Sequence, residues 1–151
     1  MNSTTSYSSR PFPSILVGGL IAGAFDLTAA YIAFGPNVPR GIASGLLGPS
    51  ARQGGLGVYV LGIALHFFIA LSAAAVYYAV SRKLTFMIDH PLVCGIFFGI
   101  ALFLVMNLVV LPLSAIHFTG PYTLRGLIQG LLIHMTIIGL PISFSVRKFS
   151  R

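Results

Sequence analysis

Acidic residues are nearly missing from this 151-residue chain, in which Asp26 and Asp89 are the only two. Charged residues of both signs make up 7% of it, where a soluble domain carries about a quarter. A chain folded in water needs a polar shell. Nine basic and two acidic side chains cannot build one around a composition that is 56% hydrophobic, and the mean hydropathy of +0.95 points the same way. Water alone is excluded as the solvent, and the lipid bilayer takes its place as the expected partner. With Cys94 as the one cysteine, an intrachain disulfide and a cysteine-built metal cluster are also excluded. Lying in an apolar run, Cys94 reads as a packing residue.

The scarcity of acids leaves a net charge of +7. On a soluble protein that would suggest nucleic acid. Here the basic residues sit at segment ends and in loops, with no basic helix or aromatic-interleaved patch. Anchoring at the membrane surface and attraction to anionic headgroups account for them, and no nucleic-acid partner is expected. Catalytic patterns are missing too. There is no Gly-x-Ser-x-Gly elbow, no His-Glu-x-x-His and no pair of membrane aspartates, so no enzymatic activity is expected.

What the chain has is apolar length. Four stretches, at about 14–34, 56–80, 91–111 and 122–146, each hold the roughly 20 residues that cross a hydrocarbon core of about 30 Å. The fold class expected is all-α: a polytopic membrane protein of four transmembrane helices in a single domain, 14–148. Residues 1–13 and 149–151 are expected as flanking tails. The first stretch is longer than a usual signal core and lacks a polar stop after a small-x-small site, so it is expected to be retained. Gly35-Pro36, Pro91, Pro112 and Gly120-Pro121 punctuate the helix ends.

The first pair of helices resembles the second. Leu16-Val17-Gly18-Gly19-Leu20-Ile21-Ala22-Gly23 pairs with Leu92-Val93-Cys94-Gly95-Ile96-Phe97-Phe98-Gly99, and Gly62-Ile63-Ala64-Leu65-His66 with Gly130-Leu131-Leu132-Ile133-His134. This suggests two tandem helical hairpins from an internal duplication, related by an axis along the membrane normal. Small residues recur at helical spacing: Gly19 and Gly23, Gly95 and Gly99, Gly126 and Gly130, and Ala70 and Ala74. Lipid gives apolar helices no reward for leaving it, so close backbone approach through such residues is expected to hold the bundle, with one face left for a homo-oligomer or another membrane protein.

Loop charge sets the expected orientation. Arg10, Arg82, Lys83, Arg147, Lys148 and Arg151 fall on one side, and Arg40, Arg52 and Arg125 on the other. The positive-inside rule puts both termini and the middle loop in the cytoplasm. The long loop 35–55 contains the uncharged string Ile42-Ala43-Ser44-Gly45-Leu46-Leu47, read either as a short interfacial or re-entrant helix or as a Gly/Pro-rich connector. In the middle loop, Asp89 before Pro91 reads as a helix cap.

Three strings resemble a known group. Ile42-Ala43-Ser44-Gly45-Leu46-Leu47-Gly48 followed by Gly54-Gly55, then Leu61 to Phe67, then Met106-Asn107-Leu108-Val109-Val110-Leu111-Pro112-Leu113 are similar to small uncharacterised bacterial inner-membrane proteins, distantly YagU-like. The resemblance spans about Ser14 to Lys148. It implies four spanning helices in a bacterial cytoplasmic membrane and carries no catalytic residues with it.

Polar groups inside the spans are the candidate site, because each costs several kcal/mol unless paired or hydrated. They are Asp26, His66, Asn107 and His134, with Gln129 and Thr136 as neutral companions. Counted from the helix ends, Asp26, His66 and His134 lie within about 6 Å in depth of one another, near the midplane. Asp26 is expected within hydrogen-bond reach of His66, His134 or Asn107. Three readings follow: a polar knot in a structural or accessory membrane protein, a proton or small-solute conduit, and a haem or quinone subunit with b-type haem between His66 and His134. The first needs no cofactor, and no metal site is expected because Zn²⁺ would want more ligands.

Overall fold

A computed structural model describes residues 9–151, all of whose regular structure is helical. Helix α1 spans Pro11–Phe34. A short α2, Val38–Leu47, and a single 3-10 turn at Pro49–Gln53 lead into α3, Leu56–Lys83. One turn, α4 at Phe86–Asp89, precedes α5, Pro91–Leu113, and the chain closes with α6, Leu124–Ser150. Helices α1, α3, α5 and α6 are long and apolar enough to cross a membrane. Their surfaces agree: Ile32 is 83% exposed and Leu113 79%, a cost in water that lipid removes.

Local chemistry sets the ends. Pro11 and Pro91 open their helices at the position where a missing N–H is harmless. Gly35 closes α1 at φ +82°, a conformation that favours glycine, and donates its N–H to the Tyr31 carbonyl at 2.9 Å. Thr123 caps α6 by accepting from the Gly126 N–H. Both flanking tails are shorter than expected, since α1 begins at Pro11 and α6 runs to Ser150. The rest of the expected N-terminal tail, 1–8, lies outside the described residues. Asp89 does not cap α5. Its carboxylate accepts from the Arg151 guanidinium at 3.0 Å, its carbonyl accepts from Arg147 at 3.2 Å, and His90 takes the cap position without a side-chain bond.

The spans stand in a row, α3–α1–α6–α5. Helix α1 packs along both α3 and α6, and α6 along α5, while α3 and α5 make no comparable contact and meet where Tyr77 approaches the Phe98 ring edge-on at 5.0 Å. A two-fold exchanging the helix pairs would match the α1–α6 contact with an equal one between α3 and α5, and none is formed. The pairs also differ locally: one π turn interrupts α5 at Met106–Val110 and another interrupts α6 at His134–Gly139.

Glycines mark where backbones approach. A Cβ on Gly19 would stand 3.0 Å from the Leu71 Cα, and one on Gly23 would stand 3.1 Å from the Ala70 Cβ, so this pair seats α1 on α3 as expected. Gly95 and Gly99 face the α6 backbone at Gly139 and His134, and Gly130 meets the Phe103 ring. Gly126 is a correction. Its only neighbour is the capping hydroxyl of Thr123 in its own first turn, where no other helix passes.

Packing is uneven along the membrane normal. The core of Ala22, Ala73, Ala74, Tyr77, Ile138, Ile142 and Val146 fills the half nearer α4. In the half nearer α2, neither Met106–Leu113 of α5 nor Leu124–Ile133 of α6 contains a buried residue. Helix α1 packs on α6 from His134 onward and has no comparable contact before it. The α2 segment is the helix that one reading of the long loop anticipated. It lies across α3, with Pro39 and Ala43 buried, and its Gly45 carbonyl accepts the Ala115 N–H at 2.7 Å.

Sidedness is directly testable. Ser50 and Thr85 are exposed at opposite ends of α3. In a Cys94→Ala background, an impermeant thiol reagent applied to intact cells should label one of Ser50→Cys and Thr85→Cys and spare the other. Labelling of both from one side would remove α3 as a span.

Candidate functional site: a polar cluster at mid-span

Helix α1 carries Asp26 between two histidine-bearing neighbours. From α3, His66 reaches the seam at Gly23, where the missing side chain leaves room for the neighbouring Phe67 ring, and its Nε2 lies 2.8 Å from the Gly23 carbonyl oxygen. A carbonyl only accepts, so Nε2 carries the proton and donates. The same nitrogen is 3.9 Å from Asp26 Oδ2. That is ion-pair range and longer than a hydrogen bond. The expected direct hydrogen bond between Asp26 and His66 is therefore not formed, because the nearer backbone oxygen takes the imidazole proton.

On the other flank His134 begins the π turn of α6 that packs on α1. Its Nδ1 donates to Gly130 O at 2.8 Å, and its ring meets Phe103 edge-on at 5.5 Å. Both imidazoles lie within electrostatic range of the Asp26 carboxylate. Asp26, His66 and His134 are the three residues that counting along the helices placed at one depth. The Asp26 side chain is 25% exposed and that of His66 11%, so the carboxylate is part-exposed while the imidazole is enclosed.

Asn107 does not join them. It sits on α5, which does not pack on α1, and its amide donates to the Phe103 carbonyl at 2.9 Å. The Asn107 carbonyl accepts from the Tyr122 hydroxyl at 3.1 Å. Thr136 donates back to Leu132 O at 2.7 Å, and Gln129 is exposed on α6. Gln129 and Thr136 line a shallow, open groove of about 640 Å³ along α6.

The arrangement does not suit haem. Helix α1 occupies the seam between α3 and α6 at this level, and its Gly23 carbonyl holds His66, so the two imidazoles cannot bracket a porphyrin. Among the described residues no three His, Cys, Asp or Glu side chains form a group that could hold a metal ion.

Sequence reasoning missed a second polar pair. Tyr31 on α1 and Tyr59 on α3 are joined hydroxyl to hydroxyl at 2.5 Å, and the Arg40 guanidinium lies over the Tyr59 ring at 5.2 Å from its centroid. Tyr59 precedes His66 by two helical turns and so shares its face. That spacing was a visible signal. The Arg40 contact was not, because it depends on where α2 folds back. The comparisons find no match for this chain among family models, curated proteins or solved structures.

Proposed function

We propose that this chain is a small, non-enzymatic integral protein of a bacterial cytoplasmic membrane, with both termini cytoplasmic and a structural or accessory role. One observation carries the reading. The mid-span polar side chains close on backbone carbonyls inside the molecule: His66 on Gly23, His134 on Gly130, Asn107 on Phe103 and Thr136 on Leu132. Only the His66 bond joins two helices, while the other three close within their own helix, and groups satisfied in either way leave few donors or acceptors for a moving solute. A homo-oligomer or another membrane protein is the expected partner. Resemblance to the YagU-like group supports the location, and matching strings in the two helix pairs support an origin by duplication despite their unequal packing.

A second reading, a proton or small-solute conduit, draws support from the 3.9 Å approach of Asp26 to His66 and the part-exposed carboxylate. Reconstitution separates the two. Proteoliposomes loaded with a pH dye should collapse an imposed gradient no faster than empty liposomes, with or without Asp26→Asn. Faster collapse that Asp26→Asn abolishes would replace the structural reading with the conduit.

A further inference from the structure

The polar cluster lies at a boundary between two kinds of packing, and the boundary gives it a direction. Toward α4, Gly18 and Gly19 of α1 bring backbones together. A Cβ on Gly18 would lie 3.0 Å from Ser145 Cβ and 3.2 Å from Ile142 Cα. Ala22 and Ala74 are fully buried there, and Ala70 and Ala73 nearly so. This seam has no room for water. The next polar groups on that side include the Ser145 hydroxyl, which donates to the Ser14 carbonyl at 2.9 Å and stands 3.3 Å from the position of a Gly18 Cβ. Gly18 is eight residues from Asp26 along α1, about 12 Å of helix.

Toward α2 the situation reverses. The outer turns of α5 and α6 have separated from α1, and Asp26 keeps a quarter of its side chain uncovered. Polar groups continue outward along the α1–α3 seam, from His66 to the Tyr31–Tyr59 hydroxyl pair and then to Arg40 at the surface. Helix α3 presents His66 and Tyr59, α6 presents His134, and α2 presents Arg40 through Tyr59, while α5 does not pack on α1.

We infer that Asp26 is a proton-binding site in exchange with the membrane face that carries α2, and that it is closed to the face that carries α4. The inference rests on reading the cluster as a knot rather than a conduit. Chemically it asks only for a proton to pass between water on one face and the Asp26 carboxylate, with the Tyr31 and Tyr59 hydroxyls and imidazoles as the neighbouring donors and acceptors.

A lipid-soluble carbodiimide modifies protonated membrane carboxyl groups, and peptide mass mapping distinguishes Asp26 from Asp89. Intact cells and inverted vesicles of the unaltered protein are exposed to the reagent with the bathing solution at about pH 5.5 or about pH 8, the opposite compartment being buffered. Labelling of Ser50→Cys in Cys94→Ala identifies which preparation presents the α2 face. Asp26 modification should rise several-fold at the acidic bath in that preparation and stay constant in the other. Dependence on the other bath, on both or on neither overturns the inference. Proton flux in the dye-loaded proteoliposomes would instead remove the knot reading beneath it, so the two failures are distinguishable.

Discussion

Gly139→Leu should separate α5 from α6 at a stability cost near the top of the overpacking range. A Cβ on Gly139 would clash with the Gly95 carbonyl oxygen and stand 3.1 Å from the Gly99 N. Both obstacles are backbone, which cannot rotate away as a side chain can. Overpacking a tight site costs about 1 to 3 kcal/mol, and a backbone obstacle places this one at the upper end. Reversible unfolding in mixed micelles, followed by circular dichroism, measures it. Gly126→Leu is the control and should be within about 0.5 kcal/mol of the parent, because only Thr123 of its own turn lies near. Equal midpoints for the two variants would refute the α5–α6 contact.

Gly62→Leu should release α2 from α3 while leaving the spans in place. A Cβ at this position would run into the Pro39 carbonyl group, the closest approach at any glycine in the described residues. Helix α2 packs along α3 around this point. Arg40 donates from Nε to Gly54 O at 2.7 Å and stacks on Tyr59, and Ala43 is fully buried beneath the segment. Ala43→Cys in a Cys94→Ala background reports the detachment through its reactivity toward a soluble thiol reagent. Overpacking of about 1 to 3 kcal/mol at the joint corresponds to a roughly 5- to 150-fold rise in the open population and hence in labelling rate. An unchanged rate would mean that α2 is held by something other than its fit on Gly62.

Much of this was legible in the chain for one physical reason. A spanning helix is specified by local composition, so four apolar runs yield four helices whose ends fall near Gly35, Pro91 and Pro112 without any knowledge of their neighbours. Depth is legible in the same way, since residue counts convert to ångströms along a helix, and this is how Asp26, His66 and His134 could be matched before their packing was known. Azimuth and neighbour identity are not local. Gly126 and Gly130 form the same sequence pattern as Gly95 and Gly99, yet only Gly130 of the former pair meets another helix. The π turns rotate the faces of α5 and α6 in a way no propensity announces. The competition at His66 was invisible as well. Whether an imidazole proton goes to a carboxylate or to the Gly23 carbonyl depends on an ångström of placement across two helices.

The uneven packing of the row has a mechanical meaning for the bilayer. Helices that are close at the α4 end and separate toward the α2 end make a wedge, with α2 adding its own width across the broad end. A planar membrane supplies equal area to its two leaflets, whereas a wedge displaces more lipid from the leaflet on its broad side. Every copy therefore carries a small area mismatch, and lateral stress in the surrounding lipid bears on how far the outer turns of α1, α5 and α6 stand apart.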